Sequence, residues 1–136
     1  MNLCESVVSH YVEMLEKLLA EPRYRFADAS SRDVPREPGV YVIYDERVSK
    51  IIYAGRTKNL RRRLLSDHKR GNIRGSQFRK ALGRNFVLNS EDEITSYILK
   101  NCSFQFMALE EFEETVRLEH FAIAVLGPIL NIRLKQ

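Results

Sequence analysis

The chain has 136 residues and a mass of 15.9 kDa, is 44% apolar, and carries a formal charge of +4. That is one ordinary domain with enough apolar surface for a core, which excludes wholesale disorder. No apolar run reaches the roughly 18 residues of a membrane span, and Met1–Ala20, broken by Glu5, His10, Glu13, Glu16 and Lys17, is not expected to be a signal peptide. Cys4 and Cys102 lack any CxxC spacing, which excludes a cysteine-built scaffold or zinc site and suits a reducing cytoplasm.

Residues 2–20 read as a helix, because Leu3, Val7, Val8, Tyr11, Leu15, Leu18 and Leu19 recur near helical spacing. Residues 21–38 hold three prolines and read as a connecting loop. Gly39–Glu46 and Lys50–Ala54 are rich in β-branched and aromatic residues, and the polar turn between them predicts an antiparallel hairpin that Gly55 ends. Val40, Val42 and Tyr44 would share one face of the first strand, Tyr41 and Ile43 the other. Thr57 or Asn59 is placed to cap a helix over 60–69, and Ser76 opens a short one over 76–82. Ser90 caps "EDEITSYILK", with acids properly in the first turn. Asn101–Leu109 predicts a third strand, and Glu110–Leu126 a last helix stopped by Gly127-Pro128.

The positive charge is concentrated. Arg47–Arg84 holds 13 basic residues against the single acid Asp67, a net +12, while the rest of the chain is −8. Such a block is either a solvated basic face or a surface for a polyanion that relieves its self-repulsion. Nucleic acid is the partner expected, through phosphate neutralisation and counterion release. Its contacts would come from Arg61, Arg62, Lys69, Arg70, Arg74, Arg79 and Lys80. A membrane surface fits less well, because Gly71 and Gly75 interrupt any amphipathic helix there.

One carboxylate is out of place. On a wheel of about 100° per residue, Glu119 falls in the middle of the stripe made by Phe112, Val116, Ile123 and Leu126. A carboxylate there is costly without a partner. A salt bridge to an arginine, a wet stripe edge, metal ligation and acid–base work all remain open.

"Gly39-Val40-Tyr41", then "Tyr53-Ala54-Gly55" and "Arg56-Thr57-Lys58-Asn59-Leu60-Arg61-Arg62-Arg63-Leu64", resemble the GIY-YIG nuclease superfamily. "Leu118-Glu119-His120" and "Gly127-Pro128-Ile129-Leu130-Asn131" look like the end of that domain in UvrC excision-repair nucleases, and the resemblance runs from Pro38 to Leu134. It implies an α+β fold, a small central antiparallel sheet of about three strands flanked by helices, here with an extra N-terminal helix. Residues 1–37 would be that helix and its connecting loop, and 38–136 the nuclease domain, in one compact unit.

The resemblance also implies a DNA endonuclease using one divalent metal, magnesium with manganese as a substitute. Carried onto matching positions, Glu119 is the metal ligand, Tyr41 and Tyr53 line the water and scissile phosphate, and Arg63 contacts the phosphate. Arg56 stands where relatives often carry a lysine, and Asn131 matches a late active-site asparagine. A single ligating carboxylate argues against a two-metal site. A nearby metal and arginines would lower the pKa of a tyrosine acting as base, and either tyrosine qualifies. Relatives place a tyrosine or histidine four residues after the helix arginine, where this chain has Asp67, with His68 one later. Either the helix ends early and His68 swings in, or the role is lost and Arg63 pairs with Asp67. The alternative function is a catalytically inactive nucleic-acid-binding module of the same fold. A protein partner or a homodimer through the N-terminal helix would be a further addition.

Overall fold

The computed structural model describes residues 1–132; residues 133–136, the end of the expected 38–136 unit and of the resemblance to Leu134, lie outside the described residues. The elements are α1 (Leu3–Ala20), β1 (Tyr24–Arg25), β2 (Gly39–Asp45), β3 (Lys50–Thr57), a π-helix (Arg62–His68), α2 (Gln77–Asn85), α3 (Glu91–Asn101), β4 (Cys102–Ala108), α4 (Phe112–Leu126) and α5 (Ile129–Ile132). The sheet is antiparallel throughout, in the order β1-β4-β2-β3. It has four strands rather than three, because Tyr24 and Arg25, inside the expected connecting loop, pair with Phe104 and Ser103.

β2 is central and buried on both faces, because helices cover each side. Tyr41 and Ile43 point into the core shared with the π-helix, α2, α3 and α5, among Leu64, Phe78 and Leu82. Val40 and Val42 point the other way, with Ala54, onto Leu18 of α1 and Leu118 and Ala122 of α4. The alternation read from the sequence therefore holds over these four residues. A bulge between Ile43 and Tyr44 then shifts the register. Each large side chain so buried is worth about 1.5–3 kcal/mol against exposure.

β3 does not stop at Gly55: it continues to Thr57, which pairs with Gly39. Glycine at both positions follows from close packing. A Cβ on Gly55 would lie under 3.0 Å from the Tyr41 hydroxyl, and one on Gly39 equally close to the Met107 carbonyl. The two motif glycines thus let Tyr41 and β4 cross their strands.

In α1 only Tyr11, Leu15 and Leu18 are buried, and no residue before Tyr11 is. Leu3 and Val8, expected in the stripe, are 79% and 50% exposed. The helix is fastened at its far end. Gln105 Nε2 donates to the Leu19 and Glu21 carbonyls, and the Tyr11 hydroxyl donates to Glu114 of α4 at 2.7 Å. Its C-terminal half therefore packs on its own chain.

Candidate active site

The cleft grows from the hairpin and the turn that follows it. Asn59 Oδ1 accepts the Arg62 backbone N–H and starts the helical segment, while Thr57 Oγ1 accepts the Asn59 N–H. The segment then departs from an α-helix. The Lys69 N–H reaches the Leu64 carbonyl, five residues back. The wider turn of a π-helix brings residues four and five apart to the same side, so Asp67 meets Arg63 and His68 meets Tyr41. The early helix end considered above is not needed, because the extra residue is absorbed inside the helix.

His68 is fully buried, and its Nε2 lies 2.6 Å from the Tyr41 hydroxyl and its Nδ1 2.7 Å from Ser76 Oγ. Burial, with Arg63 and Arg79 nearby, lowers its pKa well below 6.5, so the ring is neutral. Ser76 Oγ already accepts the Arg79 N–H. Two tautomers satisfy these contacts: the Tyr41 O–H donates to Nε2 while Nδ1–H donates to Ser76, or the Ser76 O–H donates to Nδ1 while Nε2–H donates to the Tyr41 oxygen. Arg63 also pairs with Asp67, Nε to Oδ2 at 3.2 Å, so both sequence alternatives for this turn coexist. That Nε is buried and not aligned to hydrogen-bond any acceptor.

Tyr53 is diagonal to Tyr41 rather than opposite it: Ile43 pairs with Tyr53, Tyr41 with Gly55, and the two rings are 6.3 Å apart. The Tyr53 hydroxyl makes no hydrogen bond among the described residues, whereas Tyr41 is committed to His68. Burial pushes Tyr41 well above the ordinary tyrosine value and Tyr53 up to about 12, helped by Glu119. Arg63, and for Tyr53 also Arg56, pull downward as expected, but burial outweighs them.

Glu119 reaches the cleft from α4, and its Oε1 accepts a hydrogen bond from Arg56 Nη1. The buried face of α4 is Thr115, Leu118 and Ala122, which places Glu119 about 70° from its centre. It was expected in the middle of the stripe; it sits on the flank, because the helix buries its Thr115 side and leaves Phe112 at the margin of the cleft. Phe112 is 37% exposed, with Lys58 Nζ 5.3 Å and Arg56 6.0 Å from its ring. Tyr41, Tyr53, Arg56, Arg63 and Glu119 thus line one concavity of about 530 Å³, together with Lys58, Asn59 and Asp67.

Three expectations change. Asn131 does not line the cleft: its side chain clips the backbone of Ala54, accepting from N–H at 2.8 Å and donating to C=O at 2.9 Å. It holds the middle residue of Tyr53-Ala54-Gly55. Arg79 is fully buried and offers nothing to nucleic acid, since it donates to the His68 and Lys69 carbonyls and to Glu91 and Thr95. Lys69 is 7% exposed, with its ammonium on the Ala29 carbonyl. Arg74 and Lys80 are exposed but border neither the cleft nor the groove beside it, whereas Arg61, Arg62 and Arg70 do border that groove. Ser76 was read only as a helix start; its tie to His68 follows from the fold. Phe112 and Lys58 were missed as cleft residues, though an aromatic at the start of an acidic helix was a readable signal.

Among the described residues no group of three or more His, Cys, Asp or Glu forms a protein-only metal cage. Glu119 offers one carboxylate whose Oε2 accepts no hydrogen bond among those residues. That donor set suits a hard ion that keeps most of its waters, as magnesium does.

A helix-flanked antiparallel sheet with a cationic, tyrosine-lined cleft at its hairpin defines an α+β domain with a concave polar site. Residues 24–136 match the family described as the GIY-YIG catalytic domain, and the chain belongs to that family. It is 30% identical over 102 residues to UvrABC system protein C of Dictyoglomus thermophilum, and 28% over 105 residues to that of a Synechococcus. These alignments take in 74% and 77% of the chain but 14% of either relative's length. Among solved structures it is similar to the GIY-YIG N-terminal endonuclease domain of UvrC from Thermotoga maritima. One crystal structure of that domain is 23% identical, with a TM-score of 0.46, covering 74% of this chain and 88% of that one. A second, bound to magnesium, is 21% identical, with a TM-score of 0.45, covering 72% and 86%. Among the described residues no helix is long and apolar enough to cross a membrane.

Proposed function

We propose that the chain is a metal-dependent DNA endonuclease that hydrolyses phosphodiester bonds with one divalent ion. The observation that carries this reading is the convergence of Tyr41, Tyr53, Arg56, Arg63 and Glu119 on one cleft in a chain of this family. Glu119 would hold magnesium, or manganese in its place, with waters filling the other positions. The bound ion supplies Lewis acidity and eases departure of the leaving oxygen.

The protein's own groups divide the rest. Tyr41 is assigned as the base. In the tautomer with Nε2 unprotonated its hydroxyl donates to His68, so it takes a proton from the attacking water as it passes its own to Nε2, and the negative charge growing on the phosphate offsets the arginines that otherwise oppose an imidazolium there. No free phenolate forms, which the raised tyrosine pKa would oppose. The unpartnered Tyr53 hydroxyl orients the water or a phosphate oxygen. The Arg63 guanidinium stabilises charge growing on the non-bridging oxygens through its terminal nitrogens. Arg56 turns from Glu119 to the phosphate when the carboxylate takes the ion.

Plasmid nicking in magnesium, in manganese and in EDTA tests the proposal. Cutting with either ion and none in EDTA supports it. DNA binding without cutting under all three conditions leaves the inactive binding module instead.

A further inference from the structure

A second groove lies beside the cleft, of about 600 Å³, between the 29–36 segment and the outer face of the π-helix. Four cations with solvent access border it, namely Arg36, Arg61, Arg62 and Arg70, and no acid does; Lys69 lines it too but spends its ammonium on the Ala29 carbonyl. Its floor is apolar, formed by Ala29 and Leu65, and Ser30, Ser31 and Ser66 add hydroxyls. Asn59 and Arg62 line the cleft and the groove alike, so the two adjoin. Its wall is held in place: Arg61 Nε donates to the Val34 carbonyl at 2.7 Å, Lys69 to the Ala29 carbonyl, and Asp33 accepts from the Ser30 N–H. Arg61 keeps its terminal nitrogens for a ligand. Arg36 lies outside the basic block, in the stretch read as a mere connector.

We propose that this groove seats the sugar–phosphate backbone of the cleaved strand just beyond the scissile phosphate, a reading that rests on the nuclease assignment of the cleft. The chemistry selects that occupant. An apolar floor with a cationic rim matches a sugar carrying a phosphodiester better than it matches a free ion. A flat bilayer fits poorly against four cations arranged around a concavity. Phosphate contacts here would fix the strand's path without reading its sequence.

The test measures binding to a short duplex in EDTA, which suppresses cutting, across a range of salt. Arg36→Gln/Arg70→Gln removes two rim charges, and Lys80→Gln/Arg84→Gln removes two elsewhere; all four side chains are exposed, and melting checks each fold. The slope of log affinity against log salt is expected to flatten by about two units in the groove variant, and by less in the control. Single neutral methylphosphonates placed along the strand are expected to weaken wild-type binding several-fold at one or two positions on one side of the cut. That penalty is expected to vanish in the groove variant. A slope change no larger than the control's, a penalty that persists, or wild-type binding to anionic vesicles in place of DNA overturns the groove. Failure of the nuclease reading looks different: the wild type does not nick in magnesium, whether or not it binds the duplex.

Discussion

The Tyr41 hydroxyl and His68 Nε2 lie 2.6 Å apart, although 27 positions separate them in sequence and a regular α-helix would turn His68 away. The π-helix closes that gap. It leaves Asp67 beside Arg63 and brings His68 under Tyr41 in the same turn. His68 meets no carboxylate there. Its neighbours are Tyr41, Tyr53, Phe78 and Ser76, with Arg63 and Arg79 opposing any added charge.

His68→Phe keeps a ring in the core and removes the proton acceptor. Cleavage is expected to fall at least about 10²-fold, with DNA affinity nearly unchanged, and the unpaired Tyr41 hydroxyl costs about 1–3 kcal/mol of stability. Nicking that holds within a few-fold of wild type would remove His68 from the proton path.

The same burial gives a pH signature. The folded pKa of His68 lies below the unfolded value of 6.5, so between the two the unfolded chain binds a proton that the folded chain refuses. His68 therefore costs nothing above pH 6.5 and draws stability down as pH falls through that window. Melting temperature should rise from pH 5 to 7 in the wild type, and the rise should be shallower in His68→Gln. Parallel curves would show that His68 contributes none of the pH dependence.

Arg79→Ala separates a structural arginine from a DNA contact. Arg79 is buried, ties the end of the π-helix to α3, and pairs with Glu91 at 3.0 Å. Its loss leaves Glu91 exposed enough to be solvated alone, but the buried His68 and Lys69 carbonyls lose their donor, at an expected cost of about 1–3 kcal/mol for each group left unsatisfied, read by denaturant unfolding. Protein that stays folded at low temperature should keep the wild-type salt slope for DNA. A flattened slope with unchanged stability would return Arg79 to the interface.

The elements the sequence revealed are those whose pattern is local. The Tyr41/Val42 alternation, the caps at Ser76 and Ser90, and the Gly127 stop all report on near neighbours. What it hid is set by partners distant in sequence. Two residues, Tyr24 and Arg25, are too few to show a strand period. The inserted residue of the π-helix is visible only once His68 meets Tyr41. Arg79 looked like its basic neighbours because charge type says nothing of the carbonyls that α3 and the π-helix bring to it. Glu119 was misplaced on the wheel because the sheet buries Thr115, and a wheel built on apolar residues ignores threonine.

Glu119 and Arg56 carry the most decisive test. The pair is real but shallow, since the Arg56 side chain is 35% exposed and that of Glu119 13%. A partly solvated pair of this kind contributes at most about 1 kcal/mol. Glu119→Gln should therefore shift melting little, abolish magnesium-dependent nicking, and leave DNA affinity equal or higher, because a negative charge beside phosphate is gone. Arg56→Ala works from the other side. It frees Glu119 Oε1, so magnesium should bind several-fold more tightly by calorimetry without DNA, while DNA affinity falls. Were the pair only structural, Arg56→Ala would leave magnesium affinity unchanged and Glu119→Gln would still nick. Either result alone would end the assignment of Glu119 as the metal ligand.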